Sequence, residues 1–131
     1  MNISLMKEAY SMLYEIENQL RLIIKANMEE EYGYQWVEKL YEKRNEQTSY
    51  YHELVSFFGK YPGVLPHINP QQLKLLHQLT PTRNKIAHSH LISQTEYELL
   101  EKCHRFVIQL PIISEKVTLD LPHKKVQRFY P

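Results

Sequence analysis

The stretch SLMKEAYSMLYEIENQLRLIIKAN, residues 4–27, places Met6, Ala9, Leu13, Ile16, Leu20 and Ile23 or Ile24 at intervals of three and four. On a helix those positions form one apolar stripe, while Lys7, Glu8, Glu15, Asn18 and Lys25 fall on the other face. The pattern predicts a helix from Ser4 to Asn27, where a polar residue interrupts the next apolar step. Glu17 and Arg21 stand four apart in the favourable acid-first order and read as a pair on the helix surface.

The same period returns further along. Trp36, Val37, Leu40 and Tyr41 share one face, and the period resumes at Tyr51, Leu54, Val55 and Phe58. Lys43 to Ser49 between them is wholly polar, which fits either one long helix or two with a break, and the break is the preferred reading. Gly59 to Asn69 contains Tyr61-Pro62-Gly63 and Pro66 and reads as an ordered connection. Asn69-Pro70 then has the form of an N-cap followed by proline at the first helical position. Thr80-Pro81 repeats that signal, so a new helix starts at Pro81 with Thr80 as its cap, or the preceding one kinks there. Ser93-Gln94-Thr95-Glu96 has capping-box spacing and opens a helix through Tyr97, Leu100, Cys103, Val107 and Leu110, ended by Pro111. The expected fold is an all-α bundle of four or five helices over residues 1–110, with residues 111–131 as a tail that packs on the bundle or on a partner. Within the tail, Lys116 to Leu119 is β-prone but has no evident partner strand.

Composition narrows the function classes. The 131 residues, 43% hydrophobic with three glycines, suffice for one core but not for two independent domains. Sixteen basic against fifteen acidic residues give a net charge of +1, which excludes binding by bulk positive charge. Charge is uneven along the chain, however: no Asp or Glu occurs from Leu54 to Thr95, a stretch holding Lys60, Lys74, Arg83, Lys85 and four histidines. The single cysteine, Cys103, cannot form an intrachain disulfide and falls on the last helix's apolar stripe, so it reads as a core residue of a protein in a reducing cytoplasm. No apolar run approaches the ~20 residues that span a bilayer, and no membrane partner is expected.

Within the acid-free stretch, Thr82-Arg83-Asn84-Lys85-Ile86-Ala87-His88-Ser89-His90 is the densest polar constellation. Arg83 falls in the first turn of its helix, where unpaired backbone N–H groups favour an anion. His88 lies five residues on, about 140° round the axis, so Arg83 and His88 diverge, whereas Asn84 and His88 share a face. Two copies of this helix about a dyad would gather two arginines and two histidines in one cleft. Histidine titrates near neutrality and transfers protons; arginine stays charged and offers a planar fork to phosphate oxygens. The combination suits cleavage of an RNA phosphodiester by its own 2′-hydroxyl. In that scheme His88 is the acid–base residue, Arg83 the phosphate clamp and Asn84 the residue that orients the imidazole. Because the nucleophile belongs to the RNA, no cofactor is expected. His88 and His90 lack a third metal ligand, with no Asp or Glu within five residues, so no metal site is expected either.

Arg83 to His88 resembles the Arg-x4–6-His signature of HEPN domains, in which a polar residue commonly follows the arginine. Tyr14 to Ile23, followed by Tyr32-Gly33-Tyr34-Gln35-Trp36, is similar to the first helix and Tyr-Gly-x-x-Trp turn of one HEPN branch. Ile92 to Tyr97 is similar to the start of that family's last helix. The likeness spans about residues 5–110 and leaves the tail unmatched. It implies a helical bundle, a homodimer with a composite cleft, and metal-independent endoribonuclease activity in toxin–antitoxin, phage-defence or RNA-processing systems. A restraining antitoxin or other regulatory protein is a further implied partner. The alternative is a non-catalytic HEPN-like adaptor that binds a nucleotide or a protein segment in the same cleft.

Around that centre, Lys85 and His90 are candidate RNA contacts, and Tyr61 in the connection is the tyrosine placed to stack a base. Tyr10, Tyr41, Tyr51 and Tyr97 fall at core spacing. Lys124, Lys125 and Arg128, interleaved with Phe129 and Tyr130, form a basic, aromatic tail compatible with RNA.

Overall fold

The computed structural model describes residues 2–41 and 50–113. The break expected between Lys43 and Ser49, the β-prone piece at 116–119 and the tail residues Lys124, Lys125 and Arg128 lie outside the described residues. Among those described, the chain is an all-α bundle: α1 (Ile3–Tyr32), a 3-10 turn (Gly33–Gln35), α2 (Trp36–Tyr41), α3 (Tyr51–Lys60), α4 (Pro70–Gln78), α5 (Thr80–Ala87) and α6 (Gln94–Ile108). With α4 and α5 taken as the two halves of one bent helix, this is the expected small all-α bundle.

The α1 stripe is buried as its spacing requires, with Ala9, Leu13, Ile16, Leu20, Ile23, Ile24 and Met28 almost fully excluded from solvent. It packs chiefly on α6 and also on α3 and α5. From α6 it receives Leu100, Cys103 and Val107; α3 adds Tyr51, Leu54, Val55 and Phe58 to the same core. Cys103 is a packing residue, and burial pushes its thiol pKa up to about 12. Tyr51 and Tyr97 are also core residues, whereas Tyr10 is 62% exposed and does not pack as its spacing suggests. The side chain of Tyr41 lies outside the described residues.

Two boundaries differ from the sequence reading. Asn27 does not end α1. Its buried amide donates to the carbonyls of Ile23 and Ile112, both at 2.7 Å, so a polar residue on the apolar stripe fastens the chain leaving α6. Gln19 makes a parallel contact, donating from Nε2 to Leu110 O at 2.9 Å. The helix instead stops at Gly33, whose φ of 68° and ψ of −149° are accessible essentially only to glycine. Glu29, Glu30 and Glu31 form the exposed last turn before it.

At the second boundary, Thr80 does not cap α5, and the alternative reading, a kink of the preceding helix at Pro81, is the one that holds. Leu79, in the right-handed helical region, is both the last cap of α4 and the first of α5, so the two are halves of a helix bent just before Pro81. The other two caps follow the sequence. Asn69 Oδ1 accepts from Gln72 N at 2.7 Å, and Ser93 Oγ accepts from Glu96 N at 3.1 Å, each with the reciprocal bond of a capping box.

Candidate functional site

The bend at Leu79 decides what α5 offers to a ligand. Arg83 N donates to Leu79 O at 2.9 Å, so its backbone N–H is already used and is not a free first-turn donor. Any anion held here must be held by side chains. The Arg83 guanidinium is fixed from below: its Nε donates to Glu17 Oε2 of α1 at 3.2 Å, and a longer contact of 3.5 Å joins Nη1 to Asn84 Oδ1. Glu17 also keeps its expected pairing with Arg21, at 3.7 Å through the other carboxylate oxygen. The Asn84 side chain contacts Arg83, at the longer distance of 3.5 Å, and makes no hydrogen bond to His88.

His88 closes α5 at φ −99° and ψ 14°, and the chain turns away through Ser89, which has a positive φ of 61°. Ser89 N bonds to Ile86 O and His90 N to Lys85 O, the paired bonds of a Schellman motif with serine in the left-handed position usually held by glycine. His88 thus stands at the rim of the helix end, its ring 6.2 Å from that of His90.

Arg83, Asn84 and His88 line one cavity of about 380 Å³, together with Thr80 and with Tyr50, Tyr51 and His52 from the start of α3. The divergence expected from helical angles is not what this cavity shows. It opens between α5 and α3, and is wide enough for a long arginine side chain and the C-terminal histidine to line it together. Tyr51 is fixed within its wall, its buried hydroxyl donating to Leu76 O at 2.6 Å. Burial raises the Tyr51 pKa above the ordinary phenol value, so this hydroxyl is not an acid for the cavity. Tyr50 and His52 are exposed, with parallel rings stacked at 6.2 Å between centroids.

The other candidate contacts lie elsewhere. Lys85 points to α6, its Nζ 2.9 Å from Glu96 Oε2. Backbone hydrogen bonding from Ser93, followed by the Lys85 contact, holds the Glu96 carboxyl below its usual pKa. Tyr61 packs against the core with Lys60 Nζ 5.6 Å from its ring centre, away from the Arg83 cavity. His90 reaches the site only through His88. The acid-free run from Leu54 to Thr95 does not leave these cations unpaired, because Glu17 and Glu96 arrive from α1 and α6.

On the opposite side of α5 an apolar cavity of about 440 Å³ is bordered by Met6, Tyr10, Ile86 and Leu91. Among the described residues no cluster of three or more His, Cys, Asp or Glu is placed to hold a metal ion. Within the same residues no helix is long and apolar enough to cross a membrane.

Sequence reasoning missed Glu17 as the partner of Arg83, and missed Tyr50 and His52 altogether. None of the three had a local signal for this, since all meet α5 only through the fold. Comparison with known protein families, curated proteins and solved structures finds no match to this chain.

Proposed function

We propose that the protein cleaves RNA by attack of a 2′-hydroxyl on the adjacent phosphodiester, without a metal, at the Arg83–Asn84–His88 site. The observation that carries this reading is the shared cavity: Arg83, whose guanidinium is fixed by Glu17, and His88, whose imidazole has no hydrogen-bond partner among the described residues, line the same 380 Å³ space. Arg83, held by Glu17 through Nε and in longer contact with Asn84 through Nη1, keeps Nη2 and the second hydrogen of Nη1 for non-bridging phosphate oxygens and for the charge that grows on them. His88 serves in proton transfer, worth roughly 10²–10⁴-fold. Asn84 braces Arg83. The resemblance of residues 83–88 to the HEPN signature supports the same chemistry and a setting in toxin–antitoxin, phage-defence or RNA-processing systems.

A homodimer is a separate part of the proposal, since the Arg83–His88 cavity is lined by one chain alone. Ile3, Tyr10, Tyr14 and Leu91 are large apolar side chains between 62% and 77% exposed, grouped beside α5, and this is the face assigned to the homodimer. In the test, the purified protein is incubated with RNA in excess EDTA and the product ends are analysed. A 2′,3′-cyclic phosphate with a 5′-hydroxyl is expected. Products with a 5′-phosphate overturn the mechanism, and intact RNA overturns the activity.

A further inference from the structure

The Arg83 cavity holds two histidines of one chain. His88 comes from the end of α5, and His52, the second residue of α3, lines the same space. The described histidines differ in what they are bound to. His104 is tied to Glu15 at 2.8 Å and His67 to the Ile112 carbonyl at 3.2 Å. The side chains of His52, His77, His88 and His90 have no hydrogen-bond partner among the described residues, and of these four His52 and His88 line the cavity that Arg83 also lines. The His52 ring is not loose, because it lies parallel to Tyr50 with an interplanar angle of 5°.

Phosphodiester cleavage by an internal hydroxyl needs two proton transfers on opposite sides of phosphorus. The 2′-oxygen must lose a proton as its bond to phosphorus forms, and the 5′-oxygen must gain one as its bond breaks. One imidazole cannot be unprotonated for the first and protonated for the second in a concerted step. Two imidazoles flanking the phosphate satisfy both requirements. The cavity of about 380 Å³ that both residues line has room to admit a phosphate group.

We propose that His52 is the second proton-transfer residue of the site. One imidazole of the His52–His88 pair takes the 2′-hydroxyl proton, and the other delivers a proton to the departing 5′-oxygen. The products are the cyclic phosphate and the 5′-hydroxyl. The two rings exchange protonation states in the step and return through solvent. This inference rests on the RNA-cleavage reading and divides between two residues the work given above to His88. It also places a complete acid–base pair within one protomer.

The test uses two substrates: a dinucleotide with an ordinary 5′-hydroxyl leaving group, and a nucleoside 3′-(p-nitrophenyl phosphate), whose leaving group departs without a proton. His52→Ala and His88→Ala are each compared with wild type, with His52→Asn as a second variant and thermal melts as a check on folding. Both alanine variants are expected to lose at least 100-fold on the dinucleotide. On the activated ester one of the two recovers to within about tenfold of wild type and the other does not, which also identifies the acid. The proposal is overturned if His52→Ala and His52→Asn cleave the dinucleotide at the wild-type rate, or if the two alanine variants lose equally on both substrates. A wild-type protein that cleaves neither substrate overturns the RNA-cleavage reading itself, a separate and recognisable outcome.

Discussion

Arg83 Nε lies 3.2 Å from Glu17 Oε2, joining α5 to α1 across 66 positions of sequence. Both side chains are mostly shielded, at 24% and 14% exposure, so the pair is screened less than a surface ion pair. It spends one donor of the guanidinium to fix the direction of the others. Glu17→Gln is expected to lower kcat by about tenfold while KM stays level or falls, because removing a negative charge strengthens anion binding as the clamp loosens. Stability should fall by about 1 kcal/mol in denaturant unfolding. A raised KM with unchanged kcat would show that Glu17 does not position Arg83.

His67 sets a pH dependence of folding. Because a carbonyl only accepts, the contact with Ile112 O requires a proton on Nε2; in the neutral ring Nδ1 is then a buried acceptor, without a partner among the described residues. Burial lowers the His67 pKa below 6.5, outweighing the carbonyl contact that raises it. The unfolded chain therefore takes up the proton first. The His67 contribution is intact above pH ~6.5, falls as the pH drops through the folded-state pKa, and stays lost below it. Urea midpoints from pH 8 to pH 5 should decline on the acid side, and His67→Gln should flatten that decline. An unchanged slope in the variant would contradict the assignment.

Much of the fold is visible in local chemistry. The stripe from Met6 to Ile24 and the caps at Asn69 and Ser93 depend on neighbours within a few residues, and they form as that chemistry dictates. What escapes is what distant chain supplies. Asn27 looks like a helix break because its partner, the Ile112 carbonyl, is 85 residues away. The site divides in the same way: Arg83 and His88 stand out as a spaced pair, but Glu17 and His52 join them only when α1 and α3 pack on α5. Lys85 shares the motif's charge, yet Glu96 from α6 turns it away from the cavity.

Asn27 gives a direct measure of how firmly the end of α6 is tied down. Its amide makes two 2.7 Å bonds, of which the one to Ile112 O has no substitute in the helix. Asn27→Ala is expected to cost about 2 kcal/mol by chemical denaturation, through a lost anchor and a half-buried carbonyl left with fewer partners. Amide exchange near residues 110–113 should quicken more than in α3. A uniform change across the bundle would mean that the anchor is not local.

Ser89 carries the backbone strain of the α5 terminus, at φ 61°. Glycine adopts that conformation freely, so Ser89→Gly is expected to raise stability by about 0.5–1 kcal/mol. Ser89→Val should lower it by more. If glycine destabilises the protein in thermal unfolding, the serine side chain makes a compensating contact and the strain argument fails.

The central claim is that Arg83 and His88 perform RNA cleavage from one cavity, and single-turnover cleavage of a defined RNA in EDTA addresses it most directly. Wild type, Arg83→Ala and His88→Ala are compared after each is shown to be folded. Cleavage by wild type and loss of at least 100-fold in both variants is the expected result. Full cleavage by either folded variant would contradict the account.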